Sequence, residues 1–239
     1  MGSEKLDVMA FAAHCDDIEI TSGGLMIKLA EMGYKTGACD LTAGEMGTKG
    51  SSEDRLAEAS EAGRIMGLAN RINLGMPDGA LEFNRDNILR LAQIIRDYQP
   101  LLAILPYWEQ RHPDHRVCSL LLQDACYFAG LKKIELQGEP HRPFKILFST
   151  YYREIRPSFL VDVSNQHKRK LEAVRAYKSQ FDGTPGSKQI FHPGADIIDY
   201  IKIRDSNLGL NIKSEYAEPY FIKEPIAIDD PMKLPVKSI

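Results

Sequence analysis

Two short polar motifs hold the residues best suited to chemistry. His14-Cys15-Asp16-Asp17-Ile18-Glu19 follows the apolar run 8–13, and Arg111-His112-Pro113-Asp114-His115-Arg116 comes shortly after the apolar run 101–105. His14 and Asp17, three residues apart on a tight turn, can aim an imidazole and a carboxylate at one ion. His115 can complete the set from the second motif. Three protein ligands with a fourth position open to water suit a hydrolytic zinc (Zn2+) centre, and the carboxylate also suits iron(II) (Fe2+) or another divalent metal.

The neighbouring side chains add acid–base groups. Asp16 can accept a proton from a water that the metal has acidified. Glu19 can orient a ligand from behind, or cap the next helix. His112 would face the same pocket, where its protonated form could stabilise an oxyanion and then give a proton to a leaving amine. Asp114 could fix the tautomer of His112 and raise its pKa. A second assignment stays open, in which both histidines of this motif bind metal and Asp17 does not. Arg55 and Asp78 follow Gly-containing loops and could hold sugar hydroxyls or a carboxylate. From the residues alone, a helix-face charge and a turn residue describe them better.

Positioning these motifs requires a scaffold with several strand ends side by side. The chain alternates strand-like and helix-like segments. Strands are expected over 7–13, 35–41, 71–74 and 101–105, with helices over 23–31, 53–66 and 85–98. A Gly-rich loop fills 42–50, and Ser51 or Ser52 can cap the helix after it. Pro113 suits the first turn of a helix carrying 117–128. Further on, strands are expected over 144–152, 159–163 and 216–222, and helices over 165–181 and 196–208, with a Gly/Pro loop at 182–193. This order predicts an α/β fold: a Rossmann-like, mostly parallel sheet with helices on both faces, plus a small C-terminal β-containing extension. Ligands of such sheets bind beyond the carboxyl ends of the strands, where both motifs fall. One domain spans 1–239, with a core at about 5–130, an extension at about 140–223 and a loose tail at 224–239.

The bulk numbers narrow the class. The 239 residues are 44% hydrophobic, enough for one substantial core, and the net charge is −3. Basic residues are scattered, except for His167-Lys168-Arg169-Lys170, which reads as a solvated helix face. Neither a nucleic-acid nor a membrane partner is expected. The four cysteines form no CxxC pair, and Cys39, Cys118 and Cys126 sit among apolar residues as small buried hydrophobes. No signal peptide or membrane span is evident, which makes a cytoplasmic location the expectation. No GxGxxG follows the first strand, which argues against a dinucleotide enzyme.

The two motifs resemble those of the LmbE-like, or PIG-L, family of zinc de-N-acetylases, whose first motif reads His-Pro-Asp-Asp-x-Glu. The segments 42–50, 73–79, Ser179-Gln180-Phe181 and Tyr216-Ala217-Glu218 are similar to the branch that makes bacillithiol by deacetylating N-acetylglucosaminyl-malate. The resemblance implies zinc on His14, Asp17 and His115, Asp16 as general base, and His112 stabilising the tetrahedral intermediate with Asp114 orienting it. It also implies substrate contacts from Arg55, Asp78 and the rim residue Arg142, and a homo-oligomer, hexamer or trimer. The substrate so implied is a small-molecule N-acetylglucosaminide. Another GlcNAc conjugate such as diacetylchitobiose, or a catalytically silent relative, are the alternatives. Cys15 stands where the family has proline, leaving a thiol that could oxidise or bind the metal. Ile197 falls in a region where some members place a mobile active-site tyrosine.

Overall fold

The computed structural model describes residues 4–47, 49–151, 155–181 and 196–236. Five parallel strands form the central sheet: β1 (Val8–Ala12), β2 (Thr36–Thr42), β3 (Asn70–Met76), β4 (Leu102–Pro106) and β5 (Lys145–Ser149), in the order β3-β2-β1-β4-β5. The order reverses at β1, so the ends of β1 and β4 flank a crevice, and the two polar motifs leave the sheet there.

Both faces of the sheet are covered, which explains why the strands read as continuous apolar runs. Along β1, Met9 and Phe11 face one core while Val8, Ala10 and Ala12 face the other. Helices α3 (Arg85–Tyr98) and α4 (Pro113–Ala129) cover the first face. Helices α1 (Asp17–Glu31), α2 (Ser52–Met66) and α5 (His167–Arg175) cover the second. A short α6 (Lys178–Phe181) and α7 (Ile197–Leu210) follow. The antiparallel pair β6 (Phe159–Asp162) and β7 (Ala217–Tyr220) forms the small second sheet, tied to the main one by a bridge between Phe148 and Phe221. A 3₁₀ turn lies at Pro231–Lys233. No helix among the described residues is long and apolar enough to cross a membrane.

Local signals behave as the chemistry requires. Ser51 closes a capping box with Asp54 at the start of α2. Pro113 occupies the first turn of α4, after His112 at the N-cap.

Three expectations need correction. The first helix begins at Asp17 rather than at residue 23, because the β-branched and polar stretch Ile18 to Ser22 is helical through burial rather than propensity. The first polar motif therefore enters a helix directly. The helix expected over 165–181 is broken: α5 ends at Arg175, α6 begins at Lys178, and fully buried Tyr177 lies between them. The basic cluster at 167–170 is a solvated face only in part: Lys168 is exposed and Arg169 half-buried. Lys170 is 0% exposed and reaches Asp205 and Glu218, and His167 is also buried. The Gly/Pro loop expected at 182–193 lies outside the described residues.

Candidate active site

The residues at the carboxyl end of the sheet converge. His14 Nδ1 lies 3.1 Å from His115 Nε2, Asp17 Oδ2 lies 3.1 Å from His115 Nε2, and His14 Nδ1 lies 3.4 Å from Asp17 Oδ2. A tetrahedral ion with bonds near 2.0 Å separates its ligand atoms by about 3.3 Å, so these three atoms match one face of such a site. Their chemistry fits a divalent cation too: two imidazole nitrogens and a carboxylate oxygen converge, and a cation can take the place of the protons that otherwise hold them together.

The outer nitrogen of His14 fixes its orientation. Nε2 lies 3.0 Å from Asp78 Oδ1 and 3.7 Å from Asp114 Oδ2. With Nε2 donating to these carboxylates, loss of the Nδ1 proton would turn that nitrogen's lone pair toward His115 and Asp17, the carboxylate–histidine arrangement of many metal centres. Burial alone would lower the pKa of His14, but its hydrogen bonds to Asp114, Asp17 and Asp78 raise it well above the ordinary value. Burial pushes the Asp17 carboxyl up, yet the charge and hydrogen bonds of the two imidazoles hold it well below the usual range. Asp78 is likewise pushed up by burial but brought to about 2 by His14 and by the Met46 N–H. A group of His14, His112 and His115 is also close enough to share an ion, which is the second assignment of the sequence. Asp17 Oδ2, however, stands next to both His14 and His115.

Asp16 is the N-cap of α1 but makes no capping hydrogen bond. Its carboxylate instead lines the cavity, with Oδ1 3.5 Å from Arg55 Nη2. Burial raises its pKa, against the opposing charge of Arg55, so it is a better base than an exposed carboxylate. Arg55 donates to the Gly44 carbonyl at 2.7 Å. Gly44 is a position where only glycine serves: its φ is +71°, and a Cβ there would collide with the Arg55 guanidinium.

Several sequence expectations change. The Asp114 carboxylate does not take up His112; it accepts from Gly79 N–H at 2.7 Å and faces His14. His112 Nδ1 instead accepts the Asp114 backbone N–H at 3.2 Å, as an N-cap can, which leaves the ring proton on Nε2. Burial, then the neighbouring His14 and His115, lowers the pKa of His112, contrary to the raised value expected. Asp78 lines the cavity, but its oxygens are turned to His14 and Met46. Arg142 is not brought to the site. It precedes β5, at the opposite end of the sheet, where it donates to the Tyr127 carbonyl and lies over the Tyr127 ring. Glu19 touches no metal-site side chain; it is fully buried and receives Arg71 and Tyr177. The Cys15 thiol packs in the core under α1, facing the Thr42 carbonyl, and burial raises its pKa far above that of a reactive thiol. Ile197 is buried at the start of α7.

A cavity of about 290 Å³ opens over these groups. Sequence reading missed Tyr151, Gln110 and Gln180 among its walls. Tyr151 follows β5, and the strand-end rule that found the histidines would have flagged it. Gln180 is held by the Lys49 carbonyl at 2.7 Å, a contact spanning most of the chain.

Known proteins resemble this chain in sequence and fold. The profile of the PIG-L family, described as GlcNAc-PI de-N-acetylase, matches residues 9–126. Diacetylchitobiose deacetylase of Thermococcus kodakarensis is 30% identical over 189 residues, covering 73% of this chain and 70% of the relative. The chain belongs to the PIG-L family. It is an N-deacetylase by that membership. Among solved structures, the conserved protein TT1542 from Thermus thermophilus superposes with a TM-score of 0.85 at 38% identity, over 93% of this chain and 97% of that one. N,N'-diacetylchitobiose deacetylase from Pyrococcus horikoshii, complexed with its inhibitor MPG, gives a TM-score of 0.77 at 25% identity, over 92% and 83%. The α/β sheet flanked by helices is thus the fold of this PIG-L chain's structural relatives.

Proposed function

We propose that this PIG-L chain is a zinc-dependent hydrolase that removes the acetyl group of an N-acetylglucosaminide, with N-acetylglucosaminyl-malate of bacillithiol biosynthesis as its substrate. The observation that carries the metal part is the triangle of His14 Nδ1, His115 Nε2 and Asp17 Oδ2 at 3.1, 3.1 and 3.4 Å under an open cavity. The GlcNAc part is supported by the two diacetylchitobiose deacetylases it resembles. The malate part is supported by the branch-like segments at 42–50, 73–79, 179–181 and 216–218, and by Arg111 and Arg55 on the cavity wall, where guanidiniums favour an anionic aglycone.

His14, Asp17 and His115 would hold the ion, while Asp78 and Asp114 hold His14 from behind. A zinc ion there would supply Lewis acidity and lower the pKa of a water to about 7. Asp16 takes the proton from the attacking water, which its raised basicity suits. His112 donates its Nε2 proton as a hydrogen bond to the developing oxyanion. The C–N bond breaks as the amine gains a proton, and the products are acetate and a glucosamine conjugate. The chain works as a homo-oligomer.

Diacetylchitobiose is the second reading, favoured by the names of those two relatives. Steady-state acetate release from both compounds separates the readings. The proposal expects a kcat/KM for N-acetylglucosaminyl-malate at least about tenfold above that for diacetylchitobiose, a margin of about 1.4 kcal/mol. The reverse order would move the substrate to the disaccharide, and no metal-dependent release from either would sink the proposal.

A further inference from the structure

We infer that Arg71 and Tyr177 position the metal-binding turn by holding the backbone carbonyl of Cys15, and so set the metal affinity without touching the ion or the substrate. The inference rests on the metal reading above.

The Cys15 carbonyl sits between His14 and Asp17, two of the three proposed ligands. Two buried donors reach it from distant parts of the chain: Arg71 Nη2 from β3, and the Tyr177 hydroxyl from the break between α5 and α6. Neither donor can drift. Arg71 is fixed by a fork onto Asp40, with Nε 2.8 Å from Oδ2 and Nη2 3.0 Å from Oδ1, and by Nη1 onto Glu19. Tyr177 is 0% exposed, with its hydroxyl 3.1 Å from Glu19 Oε1. Glu19 belongs to α1, two residues past Asp17, so one carboxylate ties both donors to the helix that carries a ligand.

The turn needs such a hold. Cys15, unlike proline, leaves its own φ free to rotate. Rotation of the Cys15–Asp16 peptide would swing His14 and Asp17 apart, and their 3.1–3.4 Å spacing with His115 would be lost. Groups that orient metal ligands commonly contribute about 10–100-fold in affinity. A purely structural role would lower stability and leave the ion's affinity alone, which makes the two roles separable. Arg71 can also be probed chemically. A separate cavity of about 410 Å³, between α2 and β3, is lined by Arg71 and Asp40 and shares no residue with the active-site cavity. A small cation can reach the place of the Arg71 side chain through it.

The test measures the zinc dissociation constant of the full chain by competition with a chromophoric chelator, alongside thermal melting. Tyr220 provides the comparator: it is buried alike, but its hydroxyl donates to Glu218 at 2.9 Å rather than to the Cys15 carbonyl. Tyr177→Phe is expected to weaken zinc binding about 10–100-fold, and Tyr220→Phe to lower the melting temperature while keeping the constant within about twofold. Arg71→Ala is expected to weaken binding further, with recovery in added guanidinium hydrochloride but not in sodium chloride of equal ionic strength. Wild-type affinity in Tyr177→Phe, or equal losses in Tyr177→Phe and Tyr220→Phe, would overturn the inference. If Arg71→Ala does not fold, the tyrosine pair decides. Absence of zinc binding by the wild-type chain would instead remove the metal reading on which the inference stands.

Discussion

Two clusters of buried ionisable groups touch helix α1, one at its amino end and one near its middle. In the middle cluster every carboxylate oxygen has a donor. Lys170 Nζ bridges Asp205 and Glu218, each at 2.7 Å, and Arg204 takes the other oxygen of Asp205 at 2.8 Å. Glu218 also accepts from the Gly24 and Leu25 N–H groups and from the Tyr220 hydroxyl. Lys170, Asp205 and Glu218 are all 0% exposed. At the amino end, by contrast, His14, Asp17 and His115 bring two ring nitrogens and a carboxylate oxygen together beneath a cavity. The carboxylates of the first cluster are met by cations and N–H groups of the chain itself, although Arg204 Nη1 and His167 Nε2 have no hydrogen-bond partner among the described residues, whereas the second brings three metal-ligand atoms together. The lesson is that burial and charge do not mark a site; ligand atoms converging beneath an open cavity do.

The largest effect should come from Asp16→Asn. It keeps the side-chain shape but removes the base, so kcat should fall about 10²–10⁴-fold with metal content unchanged. Wild-type turnover with zinc bound would remove Asp16 from the mechanism. The matching break in the closed cluster is Lys170→Ala, which leaves buried Glu218 without a cation and Asp205 with Arg204 alone, and should cost about 3–5 kcal/mol of stability. Chemical denaturation reads that loss. Zinc affinity and KM of the folded fraction should be unchanged, and a selective loss of zinc would blur the distinction between the clusters.

Asp78→Asn sharpens the open side. It weakens the partner of His14 Nε2 without touching the metal face, and should reduce zinc affinity about 10–100-fold. An unchanged affinity would return Asp78 to a substrate-only role. The smallest effect is a pH dependence. Burial would raise Asp205, but Arg204 and Lys170 hold its carboxyl far below the usual range in the folded chain. A depressed folded pKa stabilises the fold above the unfolded value of about 4 and loses that contribution as pH falls toward the folded value. Urea midpoints measured from pH 6 down to about pH 3 should therefore fall less steeply in Asp205→Asn than in wild type. Parallel profiles would show that Asp205 is not among the groups responsible.

The sequence carried the sheet and the heart of the site for one physical reason: both depend on short-range pattern. Apolar runs ending in His14–Asp17 and His112–His115 give the strands, their carboxyl ends and the polar groups there. Ser51 and Pro113 announce their helices by local hydrogen bonding and a fixed φ. What stayed hidden depends on partners far along the chain. Tyr177 meets Cys15 across 162 residues, and Arg71 meets it across 56, so neither has a local signature. Lys170 looked like a surface charge because the carboxylates that neutralise it lie 35 and 48 residues away. Arg142 was placed at the rim by resemblance, whereas its position before β5 puts it at the other end of the sheet within this chain.

The most direct test of the metal mechanism is a zinc titration of the chelator-stripped chain, reading acetate release from N-acetylglucosaminyl-malate and thermal melting in the same samples. The expected result is a folded but inactive metal-free chain whose activity rises with zinc and saturates at one equivalent per chain. Full activity in the stripped protein, or saturation that needs more than one ion per chain, would contradict it.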